Sequence, residues 1–115
     1  MDYVKFYQMV AREFGKTTAV CAVVAATVLL AKKTKPRHKK NKSLYVAEVI
    51  ESLRKKLFIH WSVDPVRCFA CVLAWDEYCD LLAQQDLGDC TAVAFGPLVI
   101  KHMAQLNRHV EESKE

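Results

Sequence analysis

The chain has 115 residues, of which 52% are hydrophobic and 26% charged, with only three glycines and three prolines. That is enough apolar material for one domain with a buried core, and it excludes both a disordered composition and a fold built from many tight turns. The formal charge of +4 is unevenly spread: thirteen Lys/Arg face four Asp/Glu from Met1 to His60, and four face nine from Trp61 to Glu115. Such asymmetry suits an acidic partner for the first half, or contact between the halves within or between copies of the chain.

Asp2 to Phe14 places Tyr3, Tyr7, Val10 and Phe14 at helical spacing, with Phe6 and Met9 widening the stripe. A helix is expected, capped by Asp2 and ended by Gly15. Thr17 to Ala31 carries no charge. As a helix it is apolar all round, so it belongs either in the centre of a bundle or in a membrane. Its fifteen residues rise roughly 22 Å, short of the ~30 Å hydrocarbon core, which favours the buried position. The charge that follows is not a small-residue cleavage site, so no cleavable signal peptide is expected.

Lys32 to Lys42, KKTKPRHKKNK, holds seven Lys/Arg in eleven residues around Pro36. It reads as an exposed loop. Ser43 then stands where a helix cap is expected, and Val46, Val49, Ile50, Leu53 and Leu57 form an apolar face. Arg54, Lys55 and Lys56 lie in the last turns of that helix, where cations complement its dipole. Asp64-Pro65 is a cap followed by proline at the first helical position. Downstream, Cys68, Cys71, Val72, Trp75, Tyr78, Cys79 and Leu82 share one face, opposite Asp76, Glu77, Asp80 and Gln84. Leu87-Gly88-Asp89 breaks the pattern. Gly96-Pro97 interrupts the last stretch, after which Val99, Met103, Leu106 and Val110 repeat at helical intervals. The acidic end, residues 111–115, opposes its own helix dipole and is expected to fray.

The whole reads as one all-α domain, a compact bundle of about five helices, residues 1–115. The alternative is an α+β domain with a short antiparallel sheet from residues 57–63, 66–74 and 90–95, because short apolar runs fit either period.

Lysine and arginine at the density of the loop attract phosphates through counterion release, a strong but sequence-independent effect. The residues expected to contact nucleic acid or an acidic partner are Lys32, Lys33, Lys35, Arg37, Lys39, Lys40 and Lys42, joined by Arg54, Lys55 and Lys56 if their helix folds back beside the loop. KKTKPRHKK also has the form of a nuclear-localisation signal. The bland alternative is a solvated loop that aids solubility. No zinc-finger spacing and no RNA-binding aromatic motif supports reading of a base sequence.

The odd set of five cysteines, Cys21, Cys68, Cys71, Cys79 and Cys90, suggests a reducing compartment with thiols used as small core residues. Cys68 and Cys71 have CxxC spacing, with Cys79, Cys90 and His60 as further candidate zinc ligands. The pair falls inside an amphipathic helical pattern without a tight turn, so packed thiols are the default reading. A redox pair or a cysteine nucleophile served by His60, His102 or His109 has no spacing in its favour. Gly15-Lys16-Thr17 echoes the end of a phosphate-binding loop, but Val10 stands where the motif needs its first glycine. No carboxylate pair stands in an apolar setting suited to acid–base work.

The expectation is a non-enzymatic binding or regulatory protein without a cofactor, in the cytoplasm or nucleus. It engages RNA, DNA or an acidic protein through its lysines and leaves its acidic half for a protein partner or self-association. The size suits a small accessory protein of the kind viruses encode. The alternative is a membrane-associated protein, with residues 17–31 as a short membrane segment and the basic loop as its cytoplasmic anchor.

Overall fold

The computed structural model describes residues 2–31, 41–57, 63–84 and 94–114. These residues form five helices and no strand: α1 (Tyr3–Phe14), α2 (Lys16–Ala31), α3 (Lys42–Lys56), α4 (Pro65–Gln84) and α5 (Phe95–Ser113). The expected all-α bundle is therefore what the chain builds. The alternative sheet fails at its central strand, since 66–74 lies within α4. Of its other two strands, only the edge residues are described. Leu57 closes α3, Val63 bends ahead of α4, and Ala94 and Phe95 open α5.

Local signals at the helix ends act as the sequence implies. Asp2 Oδ1 accepts from the backbone N–H groups of Val4 (3.1 Å) and Lys5 (3.2 Å), satisfying donors that the first turn leaves open. Gly15 ends α1 at φ 94°, in the left-handed region, and its N–H donates to the Ala11 carbonyl. One residue thus separates α1 from α2, and α2 turns back against α1. Asp64 Oδ1 caps α4 at the Val66 N–H (2.9 Å). The α3 cap differs from expectation. Asn41, two residues before Ser43, accepts from the Leu44 N–H (3.1 Å), and Lys42 is already the first helical residue. Gly96-Pro97 is not an interruption but the first turn of α5, where proline's missing N–H costs nothing. The acidic end expected to fray is helical through Ser113.

The core follows from residue size. On α2, Ala19, Cys21, Ala22, Ala25 and Ala26 are fully buried. Side chains this small let α1 and α4 pack closely against its two sides. No described helix is long and apolar enough to cross a membrane. On α1 the buried centre is Phe6 and Val10, while Tyr3, placed by spacing on the same stripe, is largely exposed. The α3 face is as expected, with Val46, Val49, Ile50, Leu53 and Leu57 all buried.

The first half of α4 is buried nearly all round, because α2, α3 and α5 all pack against it. A single-face reading therefore missed Phe69, Ala70 and Ala74 and wrongly buried Cys79, which is exposed. Where α1, α4 and α5 meet, Trp75 stands 5.5 Å from Phe6, 5.6 Å from Tyr78 and 6.2 Å from Phe95 between ring centroids. Tilted, stacked and edge-on aromatic pairs of this kind add to plain area burial. At the other end of α1, the Arg67 guanidinium lies 5.7 Å above the Phe14 ring, so α1 and α4 run in opposite directions.

Candidate functional site

Of the basic residues singled out by sequence, Lys32, Lys33, Lys35, Arg37, Lys39 and Lys40 lie outside the described residues. Lys42, Arg54, Lys55 and Lys56 are described, and all are exposed on α3. They are not one patch. Twelve to fourteen helical residues separate Lys42 from the trio, roughly 18–21 Å along the axis. The continuous helix therefore holds two basic ends apart rather than folding Arg54–Lys56 back onto Lys42. Arg54 has a loose pairing with Glu51 (3.6 Å, both exposed), which leaves most of its charge to solvent.

The Lys42 end meets the acidic end of α5. Ser43 Oγ donates to Glu112 Oε2 (2.8 Å) and lies 3.0 Å from His109 Nδ1. The carboxylate of Glu112 is misplaced for the dipole of α5, being near its C-terminus, yet it sits at the N-terminus of α3, where a negative charge is favourable. Here a polar contact ties the basic half of the chain to the acidic half. A serine, a histidine and a carboxylate together invite comparison with a nucleophilic triad, but the protons run the wrong way. The single hydroxyl proton goes to Glu112, so His109 Nδ1 must donate to Oγ, whereas a general base must accept from it. Glu112 also lies on that same Nδ1 (3.5 Å) rather than on the opposite ring nitrogen. The group is a tie between helices. Sequence reasoning missed it because Ser43 and His109 are 66 residues apart and no local pattern connects them.

A second polar cluster joins α4 to α5. Glu77 accepts from Lys101 Nζ (2.6 Å) and from His102 Nε2 (2.7 Å). These bonds, that of Lys101 first, hold its carboxyl below the ordinary value. The acidic surface expected at Asp76, Glu77 and Asp80 is thus interrupted at its middle residue by cations from α5.

The cysteines do not converge. Cys21, Cys68 and Cys71 are fully buried, and Cys21 and Cys68 share a hydrogen bond across the α2–α4 contact. Burial pushes the Cys68 thiol far up and the Cys71 thiol up to about 12, which favours the protonated thiol at both positions. Cys79 is exposed about 12 Å further along α4 than Cys71, and its thiol is raised by partial burial and by Asp76 and Asp80. Cys90 and His60 lie outside the described residues. Among the described residues no three His, Cys, Asp or Glu side chains are grouped to hold a metal ion, and Cys68 and Cys71 are two buried thiols one turn apart on α4.

One concavity was not anticipated. It is a groove of about 1090 Å³ between α1 and α4. The two helices each pack on α2 but touch one another only through side chains such as Phe6 and Trp75. Met9, Phe69, Leu73, Trp75 and Tyr78 give the groove an apolar floor, and Leu29 and Tyr45 lie at one end. The sequence signal was present in the helical spacing of Lys5, Gln8, Met9 and Arg12, but that spacing also fits an ordinary solvated face.

No protein-family model, curated protein or solved structure matches this chain, and its function must be argued from its own residues.

Proposed function

We propose that this chain is a non-enzymatic binding protein that holds nucleic acid by phosphate contacts through its lysine-rich segment, Lys32 to Lys42. The observation that carries the reading is charge density, seven Lys/Arg within eleven residues. It is supported by the exposure of Lys42 at the start of α3 and of Arg54, Lys55 and Lys56 at its end. Ammonium groups on flexible stems release counterions from a phosphate chain without reading its bases, and they need no defined pocket. Among the described residues nothing else competes as a site for chemistry. The described thiols are held protonated, and the serine–histidine–carboxylate group has its protons reversed. A small bundle displaying such a segment suits a regulatory or accessory role, and the same run fits import into a nucleus.

The test is a titration of a labelled single strand at several salt concentrations. With all seven charges engaged, the slope of log affinity against log salt is about −5 for a single strand and about −6 for duplex DNA. Replacing Lys32, Lys33, Lys35, Arg37, Lys39, Lys40 and Lys42 by glutamine is expected to abolish binding at physiological salt. Replacing only Arg54, Lys55 and Lys56, roughly 20 Å from Lys42 along α3, reduces the slope by about one per residue that reaches a phosphate. Undetectable binding at low salt sinks the proposal. Binding that polyglutamate displaces as well as RNA does, charge for charge, points instead to an acidic protein.

A further inference from the structure

We infer that Ser43 is a phosphorylation site, modified by a serine kinase that selects for lysines ahead of the serine, and that the phosphate opens the contact between α3 and α5. The inference does not depend on the nucleic-acid reading. Ser43 follows Lys39, Lys40 and Lys42 in the chain. Kinases choose substrates by charge patterns of this kind, with carboxylates in the substrate groove answering the cations. Ser52 and Ser113, by contrast, each follow a glutamate, and Thr17 and Thr18 follow a single lysine.

The hydroxyl is within reach because of where it stands in α3. Asn41 caps the helix, so Ser43 has no capping duty. Ser43 is partly exposed, and its neighbours Lys42 and Leu44 are both exposed. A first turn opens locally at little cost, which lets the segment lie extended in a kinase groove. Its Oγ then forms a bond to the terminal phosphorus of a nucleoside triphosphate. The bond from that phosphorus to the diphosphate oxygen breaks, and the hydroxyl proton passes to the kinase's own carboxylate base.

The product cannot keep the tie. Ser43 Oγ lies 2.8 Å from Glu112 Oε2 and 3.0 Å from His109 Nδ1, and phosphorylation removes the proton that it donates to Glu112. Phosphoserine brings a charge of about −1.5 to −2 against that carboxylate. Of the tie's groups only His109 can carry positive charge, at most one, against a combined negative charge of about three. Two anions then compete for one helix N-terminus. The phosphate, attached to α3 with Lys42 beside it, keeps the favourable end of the dipole, and Glu112 is expelled. Glu112 is left near the C-terminus of α5, where its charge is unfavourable, and the last turn of α5 unwinds. One modification thus supports one helix and loosens another.

The experiment uses the full chain with Thr34→Val, which leaves Ser43 as the hydroxyl residue of the stretch 32–43. The chain is incubated with ATP and a lysine-directed serine kinase, phosphate is located by fragment mass, and amide hydrogen exchange is followed in α3 and α5. One phosphate on Ser43 is expected, absent from Ser43→Ala. Exchange from Asn107 to Ser113 is expected to quicken about tenfold or more, as loss of a hydrogen bond to a charged group implies, while that of residues 46–53 is unchanged. Ser43→Ala loses the bond without gaining charge and quickens it less. In Glu112→Gln the phosphate has no carboxylate charge to expel, and its effect on α5 is much smaller. The inference is overturned if the folded chain takes no phosphate at Ser43, whether or not a free peptide of residues 38–47 is modified. It is equally overturned if the phosphate leaves exchange in α5 unchanged or slows it, or if Glu112→Gln responds as strongly as the parent. Equal quickening in α3 marks general unfolding and also overturns it.

Discussion

Gly15 holds φ 94° and ψ 164°, a region that is open in practice only to glycine. A Cβ there meets nothing within 4 Å, so the cost of Gly15→Ala is one of backbone strain and not of crowding. We expect the substitution to destabilise the fold by about 1–3 kcal/mol in urea titrations, with the helices themselves intact. Asp2 and Asp64-Pro65 were legible for the same reason as Gly15, since each acts on the backbone within three residues of itself. Glu77 was not legible, because its partners Lys101 and His102 belong to another helix. Its carboxyl is held below the ordinary 4.5, so the fold favours the ionised form. The stability this contributes is present above the unfolded value and is lost as pH falls through the lower folded value. Glu77→Gln should therefore be less stable than the parent near neutrality, and the gap should close as pH is lowered below about 4.5. A gap that persists at pH 2 would show that the two bonds act through geometry and not through charge.

Helices were legible as elements wherever one face is buried and one is wet, which is why the residues of α3 were placed correctly from their spacing. The reading failed in two physical circumstances. The first half of α4 is covered on several sides, and a helix covered all round has no stripe for periodicity to find. At the start of α3, Asn41 and Ser43 are both capping residues, and the local sequence does not say which one is claimed by another helix. The structure gives Asn41 the cap and Ser43 the tie to His109 and Glu112. The two serve different ends and should fail differently. Asn41→Ala should cost about 1 kcal/mol through the loss of one backbone acceptor. Ser43→Ala should cost a similar amount, and combining it with Glu112→Ala should add less than the sum of the single changes, because both remove the same bond. Additive losses in a double-mutant cycle would show that the tie is not energetically real.

For the whole molecule, the number of helices was readable and their arrangement was not, because arrangement depends on which residues are small. The uncharged run from Thr17 to Ala31 suits a lipid or a core by hydropathy, and only its short length favours the core. In the fold, the short side chains of Ala19, Ala22, Ala25 and Ala26 let α1 and α4 pack close on either side of α2. That same arrangement opens the groove, since two helices resting on a common third need not close against each other. Ala22→Leu and Ala25→Leu insert bulk where two helices meet the α2 backbone, and each should destabilise the fold by about 1–3 kcal/mol. Val20, 39% exposed on the same helix, should accept leucine within about 0.5 kcal/mol. All three changes raise hydropathy or leave it nearly level, so a segment selected to sit in lipid would tolerate them alike. Chemical denaturation of the three variants separates these cases. A loss confined to Ala22 and Ala25 follows from a helix packed between protein neighbours, and equal tolerance at all three positions would require α2 to find its surroundings elsewhere.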